Sequence, residues 1–139
     1  MFVLDASVSL AWCFHDEGTA QTWSVLDRLR QESAVVPSLW HLETANVLTL
    51  AERKGRLSEA ATAAFVNMVQ RLPIVVDPET SERALREILI LARGQQLTSY
   101  DACYLELALR RGLPLATKDR ILERAADRMG VSLLASAGK

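Results

Sequence analysis

The sequence predicts an α/β fold in which helices cover both faces of a parallel sheet. Short apolar runs rich in Val, Ile and Leu alternate with longer stretches of helical period, the pattern of strands buried on both faces and joined by crossover helices. Cap and turn residues mark the boundaries between them. At 139 residues, half apolar and about a quarter charged, the chain is expected to form a single domain over 1–139 with one hydrophobic core.

The first strand is FVL at 2–4, followed by a helix near 6–14 and another near 18–31. AVV at 34–36 is the second strand, with helices near 39–54 and 58–71 behind it; Ser58 suits an N-cap and Gly55 follows the basic Arg53-Lys54, as a glycine does after a closing turn. IVV at 74–76 is the third, with Asp77-Pro78 read as an N-cap and first helical residue opening a helix near 79–93. A helix near 99–111 ends at Gly112, PLAT at 114–117 is the fourth strand, a helix covers 119–128, and VSLL at 131–134 is a weak fifth strand.

No apolar run approaches the roughly 20 residues that cross a bilayer, and MFVLDAS lacks a basic, long-apolar leader. A cytoplasmic protein without membrane contact is expected. Cys13 and Cys103 have no CxxC spacing, and His15 and His41 have no ligand-spaced partner. A disulfide framework and zinc chemistry are therefore not expected. The net charge of −1 argues against gripping nucleic acid by bulk charge, although neutralising a few acids with cations would turn the balance positive.

The stretch TSYDACYLELALRR at 98–111 puts Asp101 on the face of Tyr104, Leu105 and Ala108, while Glu106 and Arg110 mark a polar side. Glu43 repeats this oddity, sharing a face with Asn46, Val47 and Leu50. In an open parallel sheet the functional crevice lies beyond the carboxyl ends of the strands. Asp5 closes the first strand there and Asp119 follows the fourth. Each acid alone is also explained by helix capping or by the helix dipole. Together they are harder to explain, because two carboxylates about 4 Å apart repel by about 1 kcal/mol in water and by several times that in a shielded cleft. Four converging acids call for protons or hard cations such as Mg²⁺ or Mn²⁺.

Asp5 in VLDASV, Glu43 in PSLWHLETANVL, Asp101 in LTSYDACYLELALRRGLPLAT and Asp119 in ATKD resemble the acidic pattern of PIN-domain nucleases, particularly the VapC toxins of bacterial toxin–antitoxin pairs. The resemblance spans essentially the whole chain. It implies a three-layer α/β/α sandwich around a mostly parallel sheet of four to five short strands. It further implies a metal-dependent endoribonuclease that leaves 5′-phosphate and 3′-hydroxyl ends and is inhibited by a VapB-like antitoxin. Asp5, Glu43, Asp101 and Asp119 match the catalytic, metal-holding acids, with Mg²⁺ or Mn²⁺ as cofactor. Ser7 and Thr117 match supporting hydroxyl positions and Asn46 a supporting polar one, whereas Asp77 matches no catalytic acid. A homodimer, and contact with DNA only through the antitoxin, are implied in the same way.

Arg120, Arg124 and Arg128 recur along one helix face as a phosphate-tracking stripe or, equally, as a solvated face paired with Glu123 and Asp127. Trp12, Trp23 and Trp40 read as core or interface residues. By the same resemblance, a stripe through Trp23, Leu26 and Leu29 or Arg30, together with Trp12 and Phe14, is expected to line a groove for an antitoxin segment. Two other classes compete: a catalytically silent PIN-fold binding module, and a phosphate-handling enzyme or receiver with strand-end aspartates. The full set of acids with Ser7 and Thr117 favours the nuclease over the first. Ser7 stands where an aspartate-nucleophile phosphatase needs its second aspartate, and the helix-borne Glu43 and Asp101 fit that class poorly.

Overall fold

The structure, a computed structural model, describes residues 1–134. Four parallel strands, β1 (Phe2–Leu4), β2 (Ala34–Pro37), β3 (Ile74–Asp77) and β4 (Leu115–Ala116), lie in the order β3-β2-β1-β4. Parallel neighbours need crossover connections. These are α1 (Ala6–Ala11) and α2 (Ala20–Arg28), then α3 (Leu39–Arg53) and α4 (Glu59–Gln70), then α5 (Thr80–Arg83), a π-helical turn (Ala84–Ile88), α6 (Leu89–Gln95) and α7 (Ser99–Arg111), with α8 (Arg120–Arg128) after β4. Helices flank the sheet in a three-layer α/β/α arrangement. Among the described residues no helix is long and apolar enough to cross a membrane.

The central strands form the core. Phe2, Val3, Leu4, Ala34, Val35 and Val36 are all fully buried, which explains their uninterrupted apolar runs. Register pairs Val3 with Val35 on one side and Leu115 on the other, so the carboxyl ends of β1 and β4 lie side by side. Ser58 caps α4 by accepting from Ala61 N at 3.1 Å, and Gly112 closes α7 at φ +64°. Cys13 and Cys103 are both free thiols.

Several expectations are corrected. The weak fifth strand at 131–134 contributes only a single parallel bridge, Leu115 to Leu133. The continuous helix near 79–93 is broken: α5 starts at Thr80, and Arg86 leaves helical geometry at φ −122°, ψ −105°. Asp77-Pro78 therefore does not open the helix; Asp77 ends β3 and its Oδ2 accepts from Glu79 N at 3.2 Å in a turn.

Another concerns polarity. Glu106, expected on a solvated side of α7, is only 6% exposed. Arg110 reaches across it, its Nε to Glu106 Oε2 at 2.9 Å and its Nη2 to Asp77 Oδ2 at 2.8 Å. Arg83 lies 3.9 Å from Glu106 and binds Glu79 at 2.9 Å. The Arg110 guanidinium holds the Asp77 carboxyl below the usual range, against the opposing effect of burial. Arg110 therefore balances two buried acids from α7 and β3, a role that sequence spacing did not reveal.

The tryptophans divide. Trp12 is 8% exposed and donates from Nε1 to Thr22 O at 2.7 Å, while Trp40 is buried and donates to Ser9 Oγ at 3.2 Å. Phe14 and Leu29 are buried too. The expected antitoxin groove on Trp12, Phe14 and Leu29 is thus not an open surface; those side chains fill the core, and of the two helices' tryptophans only Trp23, at 45% exposure, faces solvent.

Two outcomes follow. Arg110→Ala leaves Asp77 and Glu106 buried with only the more distant Arg111 and Arg83, each 3.9 Å away, and is expected to cost about 3 kcal/mol, measurable by urea unfolding. Trp12→Ala opens a cavity and removes the indole bond to Thr22 O, so it should cost roughly 3–5 kcal/mol; an unfolding midpoint unchanged from wild type would place Trp12 outside the core.

Candidate metal centre

The carboxyl ends of β1 and β4 deliver the first two acids. Asp5 follows β1 directly, is 6% exposed and occupies the N-cap position of α1, yet its side chain makes no hydrogen bond of capping geometry. Instead Ser7 Oγ and Thr117 Oγ1 both donate to Asp5 Oδ2 at 2.7 Å. The two hydroxyls are themselves held, since Lys118 N donates to Ser7 Oγ and Asp119 N to Thr117 Oγ1, each at 3.0 Å. One loop after β4 thus fixes Asp5 from below.

Asp119 does cap. It is the N-cap of α8, and its Oδ1 accepts from Ile121 N at 2.8 Å and Leu122 N at 3.1 Å. Its charge still reaches the cluster, raising the pKa of both Asp5 and Asp101.

The remaining two acids come from helices. Glu43, half-buried in the second turn of α3, accepts at Oε1 from Tyr104 Oη at 2.5 Å. Asp101, half-buried in the first turn of α7, has its backbone N–H bound to the N-cap Thr98 Oγ1 at 3.1 Å. Only the Thr98 half of a capping box forms. Among the described residues the Asp101 carboxylate takes part in no ion pair, and its side chain has no donor. Among the described residues no Lys or Arg pairs with Asp5, Glu43 or Asp119 either.

Electrostatics reflect that isolation. Burial, reinforced by the charges of Asp119 and Asp5, pushes the Asp101 carboxyl up to about 6. Burial also raises Asp5, against the pull of the Thr117 and Ser7 hydroxyls. Glu43 is raised by burial and by the charges of Asp5 and Asp101, with the Tyr104 bond opposing. Burial pushes the Tyr104 phenol far up, so it stays protonated and donates. The structure therefore brings Asp5, Glu43, Asp101 and Asp119 within mutual electrostatic reach, with Ser7 and Thr117 in direct contact with Asp5. It does not bring in Asn46, which is exposed on α3.

The donor set suits a hard cation: all its atoms are carboxylate or hydroxyl oxygens, and among the described residues no protein cation pairs with it. Among the described residues no three acids, histidines or cysteines are already arranged to enclose an ion. An ion here would keep several waters, as Mg²⁺ does in sites that must also admit a substrate.

Around this cluster, Arg120 and Arg124 are exposed and, among the described residues, unpaired; neither forms the expected bridge to Glu123 or Asp127. Arg128 is engaged elsewhere, donating to Gln95 Oε1 at 2.9 Å. Tyr104 is the contact that sequence reasoning missed. It was placed on the core face of its helix, and the only signal was its position three residues after Asp101, one turn along the same face.

The chain belongs to the PIN domain family, whose model matches residues 2–128. Solved structures share its fold. PAE2754 from Pyrobaculum aerophilum is 27% identical over 89% of this chain and 78% of its own, with a TM-score of 0.66. VapBC2 from Rickettsia felis, bound to a DNA fragment from its promoter, is 13% identical over 96% of each chain at 0.64. VapC20 of Mycobacterium tuberculosis, a sarcin-ricin loop cleaving toxin, is 18% identical over 90% of this chain and 95% of its own at 0.60. No curated protein matches the chain.

The raised carboxyls set a pH dependence for the metal-free protein. Asp101 moves from 3.8 to about 6 on folding, so between those values the folded state binds more protons than the unfolded one. Stability then falls as pH rises from about 4 to about 6, and the penalty is fully present above that window. Asp5 and Glu43 act in the same direction. In chelator, the thermal midpoint of wild type should decline across this window, while Asp101→Asn should show a flatter profile and equal or higher stability at pH 7. A midpoint that rises steadily from pH 4 to pH 7 would contradict the burial and mutual repulsion that raise these carboxyls.

Proposed function

We propose that this chain is a metal-dependent endoribonuclease of the VapC toxin type, which hydrolyses RNA phosphodiester bonds at the four-acid cluster and is restrained by a VapB-like antitoxin. The observation that carries the reading is the group of carboxylates at the carboxyl edge of β1 and β4 with which, among the described residues, no Lys or Arg pairs. Elsewhere the same protein does neutralise buried acids, as Arg110 does for Asp77 and Glu106. Leaving one cluster unpaired marks it as a cation site.

Asp5, Glu43 and Asp101 would hold Mg²⁺ or Mn²⁺, and Asp119, through the oxygen not used for capping, would complete the shell or serve a second ion. Bound there, the cation supplies a water acidic enough to attack near neutral pH and offsets charge on the phosphate oxygens. The protein's own part is orientation. Ser7 and Thr117 hold the Asp5 carboxylate on one oxygen, and burial keeps water from screening the acids. Asp101, with no donor of its own, is free to turn toward an ion. Without a cation the cluster repels phosphate, so substrate is admitted only to the loaded site. With water as nucleophile the RNA 2′-hydroxyl is not consumed, and products should carry 5′-phosphate and 3′-hydroxyl ends. Exposed Arg120 and Arg124 on the helix that Asp119 caps can contact the RNA backbone.

The comparisons support this reading through fold: the Mycobacterium protein is named for cleaving the sarcin-ricin loop, and the Rickettsia structure is a toxin–antitoxin complex on promoter DNA. By the same likeness an antitoxin partner, a homodimer, and DNA contact only through the antitoxin are proposed. Purified chain free of any partner, incubated with structured cellular RNAs, should cleave in Mg²⁺ or Mn²⁺ and stop in chelator. Asp101→Asn should lower the rate by roughly 100-fold or more while remaining folded. Folded, metal-loaded wild type that leaves a broad RNA pool intact would instead favour a catalytically silent binding module.

A further inference from the structure

We propose that Tyr104 is a positioning residue for the metal site, holding the Glu43 carboxylate where it can serve as a ligand; this rests on the metal-site reading above. Tyr104 is completely buried on α7, and its hydroxyl donates to Glu43 Oε1 at 2.5 Å across 61 residues of sequence. A buried phenol is usually satisfied by whichever acceptor the core provides. Here the acceptor is an acid of the cluster. Asp101 and Tyr104 are three residues apart, so one face of α7 supplies a candidate ligand in its first turn and, one turn on, a hydroxyl that restrains the ligand from α3.

Glu43 needs such a restraint more than its neighbours do. Asp5 is short, buried and held by two hydroxyls, and Asp119 is held by two backbone amides. Glu43 has a longer side chain, is only half-buried and is repelled by Asp5 and Asp101, all of which favour a swing toward water. The Tyr104 ring is fixed by packing and has no freedom to follow it. The bond therefore fixes one Glu43 oxygen and leaves the other for the cation, the same division of labour seen when outer groups orient metal ligands.

The test is Mn²⁺ binding by titration calorimetry on the full chain, with wild type, Tyr104→Phe, Glu43→Ala and the double variant, alongside thermal melts in chelator. The phenylalanine keeps the ring and removes only the hydroxyl. Tyr104→Phe should bind Mn²⁺ about tenfold more weakly, lose cleavage at limiting Mn²⁺ and regain it at saturating Mn²⁺. In the Glu43→Ala background the second change should leave the Mn²⁺ affinity unaltered. Wild-type affinity in Tyr104→Phe overturns the proposal alone, as does an equal loss with and without Glu43, or a Tyr104→Phe chain that fails to fold, since each assigns Tyr104 to packing. Wild type that binds no Mn²⁺ overturns the metal-site reading, and this proposal with it.

Discussion

Repulsion among carboxylates at one edge of the sheet is the constraint to which the rest of the site is fitted. Asp5, Glu43 and Asp101 all have raised pKa values, and each owes part of the rise to another acid of the group. Holding them together without a bound cation requires neutral donors. The Ser7, Thr117 and Tyr104 hydroxyls and the first amides of α8 fill that role. A hydroxyl fixes a carboxylate without cancelling its charge, whereas a guanidinium would cancel it. The difference leaves the acids oriented while keeping their charge.

The other acidic group in the fold shows the opposite solution. Asp77 also ends a strand and is also buried, but Arg110 and Arg111 from α7 neutralise it, and Arg110 takes Glu106 as well. The broken helical stretch around Arg86 lets α5 and the π-helical turn lie against α7, where Arg83 joins the same network. One helix, α7, thus works in two directions. Its first two turns meet the unpaired acids through Asp101 and Tyr104, and its last turn ties β3 to the helical layer with cations. A parallel sheet makes this possible because strands β1, β3 and β4 all end on the same edge.

Much of this was legible beforehand, for identifiable reasons. The short apolar runs marked β1, β2 and β4 because strands buried on both faces have no polar alternation; β3 showed the same run although Val75 and Val76 are 47% and 42% exposed. Ser58, Gly55 and Gly112 marked helix ends because capping depends on local backbone geometry. Asp101 and Glu43 stood out because an acid on an apolar helix face conflicts with burial, and that conflict is visible in spacing alone. Glu106 misled for the complementary reason: spacing placed it with Arg110, four residues on, on a polar side, and nothing local showed that Arg83 and the link from Arg110 to Asp77 would cover that side. Trp12 misled likewise, since an amphipathic stripe looks the same whether a partner or the protein's own core covers it.

By itself the sequence determined the order of the strands, the caps at Ser58, Thr98 and Gly112, and which acids had no local partner within a helix turn, because those properties depend on residues a few positions apart. Only the tertiary structure decided that Thr117 would reach Asp5 across 112 residues, that Tyr104 would reach Glu43 across 61, and that Arg110 would claim Asp77 across 33. Those partners are chosen by strand order and helix docking. A hydroxyl or guanidinium finds its carboxylate only after the sheet has set the two in register.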